Sequence, residues 1–269
     1  MSPDTVQDSA PRTILLTLHK LQSHFSYGAT NYSPRKLIAL IKYLTDHNCH
    51  AADFSQAVAT GPLSSFNTCS FVVSFDDAYR HLLDTLPPIM EHTGIRPIVF
   101  VPTGLFGKTN AWDYSHVFQK QYHMDGREIR ELVSLGVRFE SHGVSHRDLT
   151  GVSPETLAEE LRVSREALEN ITGERVTMIA YPFGRCNAMV AASAEQCGYT
   201  AGFTSRLPSE GDTVMTLGRV PVYSFDRPSV VLKRLRLGDR SRLEHVKTRF
   251  IASLSGGTIL LNRLRSGPA

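Results

Sequence analysis

Short apolar runs recur along this chain, and most of them are closed by a polar residue or by a Pro/Gly cluster. They are Ile14–His19 (ILLTLH), Phe71–Phe75 (FVVSF), Ile98–Val101 (IVFV), Val137–Glu140, Val176–Tyr181, Tyr199–Phe203, Arg219–Val222 and Thr258–Leu261, with a shorter one at His50–Phe54. Such runs are too short for buried helices, and most show no strict period-two alternation. They read as strands covered on both faces. Helical stretches separate them. Ser33-Pro34 opens one, with Leu37, Leu40, Ile41 and Leu44 as its apolar stripe, and Asp125 caps another over Arg127–Leu135, ended by Gly136. Ser153-Pro154 starts a long helix carrying Leu157, Leu161 and Leu168 and ended by Gly173, while Ala188–Gln196 is stopped by Gly198. A helix over Ala78–His92 contains Pro87-Pro88, which should break or bend it. Strand and helix in alternation predict parallel pairing and an α/β fold. The polar residues of interest (Asp76/Asp77, Pro102/Thr103, His142/His146, Tyr181/Pro182) each follow a strand. Barrel enzymes carry their chemistry at strand carboxyl ends, so the expectation is one barrel-like domain rather than an open sheet.

Residues 1–12 read as a flexible lead and 13–265 as a single domain, with no internal repeat or linker. The polar N-terminus lacks the apolar core of a signal peptide, and no run approaches the ~18 residues of a membrane span. Cys49, Cys69, Cys186 and Cys197 show no close metal spacing and read as reduced thiols, which suits a cytoplasmic location. A net charge of +3 gives no reason to expect nucleic acid as a partner. Its distribution is uneven: residues 227–249 hold eight basic residues against Asp239 and Glu244, with Val230, Val231, Leu232, Leu235 and Leu237 interleaved. That segment reads either as a solvated helix over the barrel or as a dock for an anionic membrane surface or lipid-linked sugar, peripheral at the inner membrane.

The chemistry concentrates in Phe71–Tyr79, FVVSFDDAY. Two adjacent carboxylates at the end of an apolar strand repel one another, and a cation beside them offsets that cost. His142-Gly143-Val144-Ser145-His146 supplies two imidazoles after another strand. One Asp and two His make the three-ligand set of a hydrolytic metal centre, and the second Asp is left as a base.

Ser74-Phe75-Asp76-Asp77 resembles the first motif of the polysaccharide deacetylase superfamily (NodB-homology, carbohydrate esterase family 4). His142–His146 resembles its second, and Tyr181-Pro182-Phe183-Gly184 its third; within the superfamily, the third motif and the opening strand ending in His19 resemble the deacetylases of exopolysaccharide clusters. The resemblance spans roughly residues 13–205. It implies a distorted (β/α)7 barrel that hydrolyses N-acetyl groups of amino sugars in a polysaccharide, oligosaccharide or glycoconjugate precursor. It implies Asp76 as general base and Asp77, His142 and His146 as ligands of a divalent metal, Zn²⁺ or else Co²⁺, Ni²⁺ or Fe²⁺. Tyr181, Pro182 and Phe183 would border the substrate, with a backbone N–H near Tyr181 holding the oxyanion, and Trp112 is a candidate for stacking on a sugar ring.

Two positions depart from the superfamily pattern. The arginine that opens the third motif is here Ala180, and Arg219 or Arg185 is expected to orient Asp76 in its place. The histidine of the fifth motif, the general acid, is here Asn262, which leaves His19 as the candidate acid. The alternatives are a deformylase or other amide hydrolase, and a metal-containing carbohydrate-binding protein with weakened catalysis.

Overall fold

A computed structural model of the protein describes residues 13–23, 29–53, 69–110 and 120–238. Trp112, Asn262, the apolar run 258–261, the lead 1–12 and the basic residues 239–249 lie outside them. The described strands are β1 (Thr13–Leu18), β2 (Lys20–Leu21), β3 (Asn31–Tyr32), β4 (Cys49–Ala51), β5 (Cys69–Phe75), β6 (Ile98–Val101), β7 (Arg138–Ser141), β8 (Met178–Ala180), β9 (Ala201–Phe203) and β10 (Val220–Pro221). The helices are α1 (Pro34–Asp46), α2 (Leu82–Thr93), α3 (Gly126–Ser134), α4 (Pro154–Thr172), α5 (Ala188–Gln196) and α6 (Pro228–Leu237).

Eight strands form one parallel sheet in the order β10-β1-β5-β6-β7-β8-β9, with β4 added on the first half of β5. The sheet curls until its two edges meet. Leu217 bridges Phe203 at the β9 edge, and Leu16 and Thr17 of β1 pair with Val220 and Pro221 at the other. Residues 217–221 are therefore the seam of the barrel. Strand side chains alternate between faces, which sorts β5 in two. Phe71, Val73 and Phe75 join the large cluster under the helices, with Leu37, Leu40, Leu86, Ile129, Leu157 and Leu161. Val72 joins Leu15, Ile98, Phe100, Met178, Ala180, Ala201, Phe203 and Leu217 in the smaller cluster inside the barrel. Ser74 and Asp76 continue that inner row toward the carboxyl end.

The helix signals act as expected at Asp125, which forms a reciprocal capping box with Glu128, and at Ser153 and Gly173, the two ends of α4. Two expectations are corrected. α2 starts at Leu82 and runs through Pro87-Pro88, because Leu82, Leu86, Ile89 and Met90 keep one buried face across the prolines. Cys49 and Cys69 are not free thiols: they sit opposite each other in the β4–β5 register, Cα atoms 4.4 Å apart, and form a disulfide. A cytoplasmic location therefore draws no support from these two residues.

Candidate active site

Asp76 directly follows β5 and extends its pairing with β1 by one bond, its N–H donating to Leu18 O (2.9 Å). Asp77 and Ala78 then turn with φ of 70° and 48°, a left-handed region that residues with a Cβ seldom enter. The turn separates the two neighbouring carboxylates, one facing the barrel interior and one facing the β7 loop.

On the β7 side, Asp77 Oδ1 lies 3.2 Å from His146 Nε2 and 3.8 Å from His142 Nε2. All three residues are buried, and one ligand atom from each falls within 4.8 Å of the others. His142 Nδ1 lies 2.6 Å from Ala180 O; a carbonyl only accepts, so Nδ1 carries the proton and Nε2 presents its lone pair. Burial, against the pull of Asp76 and Asp77, brings the His142 pKa down to about 4, so its ring is neutral at physiological pH. Burial opposes the Asp77 carboxylate, but His146, His19 and His142 hold its pKa well below the usual carboxylate range.

The His loop is built by its neighbours. Val144 and Ser145 N–H both donate to Glu160 Oε2 of α4 (2.8 and 3.0 Å), and Ser145 Oγ donates to Glu160 Oε1. Ser164 Oγ donates to Gly143 O at 2.9 Å. Thr103 and Gly104 N–H, after β6, donate to Gly143 O and Val144 O. A side chain at position 104 would stand 2.8 Å from Val144 O, so the loop can dock only on glycine.

On the other side, Arg219 grips both oxygens of Asp76: Nη1 to Oδ1 at 2.8 Å and Nη2 to Oδ2 at 2.9 Å. The pair is buried, and Arg219 is fixed further by Nε donating to Thr204 O (3.2 Å) and by the Phe100 ring 5.6 Å beneath its guanidinium. Burial raises the Asp76 pKa; the guanidinium, with His142 and His19, outweighs it and leaves the carboxyl below its ordinary value. His19 Nε2 stands 4.0 Å from Asp76 Oδ2, half-buried at the end of β1. Arg185 is elsewhere, its Nη1 bonded to Asp148 Oδ2 (2.6 Å).

The third-motif residues divide. Phe183 (φ 57°) sets its ring against His146, centroids 4.8 Å apart. Pro182 is buried beside it. Tyr181 is a correction: its hydroxyl donates to Met215 O (3.0 Å) and its N–H to Phe203 O (3.0 Å). Its own hydroxyl and N–H are thus used within the scaffold. In the basic segment, Arg234 is fully buried against Asp226 and so is not presented to a membrane, while Arg236 Nη2 donates to His47 O. Sequence reasoning missed the exposed aromatics at this end of the sheet, Tyr122 beside the Asp77 turn and Phe225. Phe225 is 53% exposed, stacked on Tyr223 in a turn held by the Asp226–Arg234 pair.

A family model for polysaccharide deacetylases matches residues 66–202, half of the chain, and takes in Asp76, Asp77, His142, His146 and the Tyr181 motif. The chain belongs to the polysaccharide deacetylase family. It is 26% identical over 134 residues to YxkH of Bacillus subtilis, classed as a polysaccharide deacetylase, and 28% identical over 148 residues to a gellan lyase of a Bacillus species. These matches take in 50% and 55% of this chain but 44% and 5% of the relatives, so the chain spans less than half the length of the curated relatives it matches. Among solved structures, IcaB from Ammonifex degensii superposes with a TM-score of 0.70 at 18% identity, covering 84% of this chain and 98% of that one. The deacetylase PplD of Streptococcus pyogenes, solved with acetate, gives 0.69 at 19% identity, covering 83% and 97%. At these identities the likeness is one of fold, and it makes the curled sheet a distorted (β/α)7 barrel of the deacetylase type.

Proposed function

We propose that this chain is a metal-dependent hydrolase that removes N-acetyl groups from amino sugars of a polysaccharide or its precursor. The observation that carries the reading is the division of two adjacent carboxylates, Asp77 with two histidines and Asp76 with an arginine. Family membership supports deacetylation as the reaction class. The residues fit a divalent cation: Asp77 Oδ1 is buried and faces the two imidazole Nε2 atoms of His146 and His142 at 3.2 and 3.8 Å, and the His142 Nε2 is deprotonated. A cation held by Asp77, His142 and His146 would bring a water toward pKa ~7 and polarise the amide carbonyl. Zn²⁺, Co²⁺, Ni²⁺ and Fe²⁺ all accept this donor set.

Asp76 accepts the proton of the attacking water. Arg219 takes some basicity from it and in exchange keeps it ionised and points it in one direction. His19, beside Asp76, returns a proton to the departing amine. Phe183 closes the His146 side against bulk water, and Phe225 offers an exposed ring to a sugar unit at the rim.

The test is acetate release from N-acetylglucosamine oligomers. Chelator-treated protein is expected to be inactive and to recover with Zn²⁺ or Co²⁺. Asp76→Asn is expected to lose ~10²–10⁴-fold while still binding the metal. Release that survives both chelation and Asp76→Asn would overturn the reading.

A further inference from the structure

The left-handed turn that separates the two carboxylates does not stand on its own. The strand-like segment Tyr122–Met124 lies antiparallel beside it, bridged Tyr79 to His123. Arg80 N–H donates to Tyr122 O (2.7 Å), and Met124 N–H to Ala78 O (2.8 Å). Between these two bonds His123 Nδ1 lies 2.6 Å from Asp77 O. The carbonyl only accepts, so Nδ1 is the donor. The ring is 1% exposed and stacks on Tyr79, centroids 5.1 Å apart and planes 20° apart. His123 N–H in turn donates to Lys108 O (2.9 Å).

The bond from His123 Nδ1 fixes the peptide between Asp77 and Ala78, and the two backbone bonds hold the peptides that follow it. The plane of that first peptide sets ψ of Asp77, and φ is already at 70°. The direction of the Asp77 side chain therefore depends on a backbone conformation that an L-residue adopts only when its surroundings impose it. The bond from Nδ1 is made to the carbonyl of the carboxylate-bearing residue itself, so it acts where the aim of Oδ1 is decided.

We propose that His123 is a positioning residue for the metal centre: its Nδ1–H holds Asp77 O, locks the left-handed turn and aims Oδ1 at the point shared with His142 and His146. The inference rests on the metal reading above and adds to it a residue that is not itself a ligand. Outer groups that orient metal ligands typically contribute 10–100-fold in affinity.

The experiment measures Zn²⁺ affinity by competition with a chromophoric chelator, and the visible spectrum of the Co²⁺ form, on the full chain. Asp77→Ala is the reference and is expected to abolish binding. His123→Ala is expected to bind 10–100-fold more weakly with a changed Co²⁺ spectrum. His123→Asn, whose amide nitrogen reaches about where Nδ1 lies, is expected to recover most of the affinity. Ala78→Gly removes the Cβ from the second left-handed position and is expected to restore part of it in the His123→Ala background. That double variant also supplies a folded protein if His123→Ala alone does not fold. Wild-type affinity and spectrum in His123→Ala, with binding lost in Asp77→Ala, would overturn the clamp alone. Binding retained in Asp77→Ala would overturn the metal reading and the clamp with it.

Discussion

Asp76 and Asp77 are adjacent in the chain, yet they are completed from different stretches of it. Asp77 meets His142 and His146, which lie with it inside the segment that matches the family model. Asp76 meets Arg219, which lies beyond that segment, in the seam where the sheet closes on itself. The ligand side is assembled from neighbouring strands, β5 and β7 with β6 between them. The base side is assembled across the closure. Leu217 faces the interior, so Arg219, two residues on, faces it too and arrives over Asp76. The superfamily's usual arginine position, Ala180, is buried in the same interior cluster as Phe100, over which the Arg219 guanidinium sits. The proposed cation site is thus local to the motifs, whereas orientation of the proposed base depends on the barrel being closed.

After loss of Asp76 itself, the most damaging change on the base side is Arg219→Ala. It leaves a buried carboxylate without its cation, and kcat/KM is expected to fall by ~10²-fold or more as the base loses its aim. The sign of the pH effect is set by the pair. In the wild type the Asp76 pKa is depressed, so its ionised form, and the stability tied to it, persists above the ordinary carboxylate pKa and is lost only as pH falls through the lower folded value. In Arg219→Ala burial acts with less opposition, and the acid limb of the pH–rate profile is expected to move upward while Zn²⁺ affinity stays near the wild-type value. An unmoved acid limb would mean that Arg219 is structural only.

Ala180→Arg probes the same seam with a smaller effect. The family-like residue would enter an interior already occupied by Arg219, whose two Nη atoms hold both Asp76 oxygens. The expected result is a loss of about 1–3 kcal/mol in unfolding free energy and no gain in kcat/KM. A gain in activity would show that the seam is an imperfect replacement. Phe225→Ala, also beyond the matched segment, should act most weakly: KM for oligomers rises about 2–10-fold with kcat unchanged, the scale of one aromatic contact. Equal effects on a monomeric substrate would place Phe225 away from the longer glycan.

Much of this is legible in the sequence because it depends on short-range signals. Ile98–Val101 and Ala188–Gln196 keep the boundaries their apolar runs and stops imply. The Asp-Asp and His-x-x-x-His segments sit after strands, as their apolar lead-ins imply. The choice between Arg219 and Arg185 is not legible, because each lies beside a strand-end segment and only the closure of the sheet tells them apart. The Cys49–Cys69 pairing is hidden for a similar reason, since a parallel register between two strands leaves no mark in spacing. Tyr181 misleads because a tyrosine in a motif looks the same whether its hydroxyl faces a pocket or the Met215 carbonyl. His123 has no motif around it, and the role proposed for it rests on the bond it makes to another residue's backbone.

Glu160 sits in α4, sixteen residues from Val144, and receives three donors from the His loop. The rotational phase of that helix is thereby tied to the His142–His146 loop. Each residue added to an α-helix rotates every later position by ~100°, so one inserted residue between Ser153 and Glu160 would carry the carboxylate off the loop. The same insertion past Ser164, the last α4 residue bonded to the loop, leaves both contacts in phase. Tolerance to insertions and deletions is therefore unequal along one helix: its amino-terminal half is metered against the His142–His146 loop, and its carboxyl-terminal half is not.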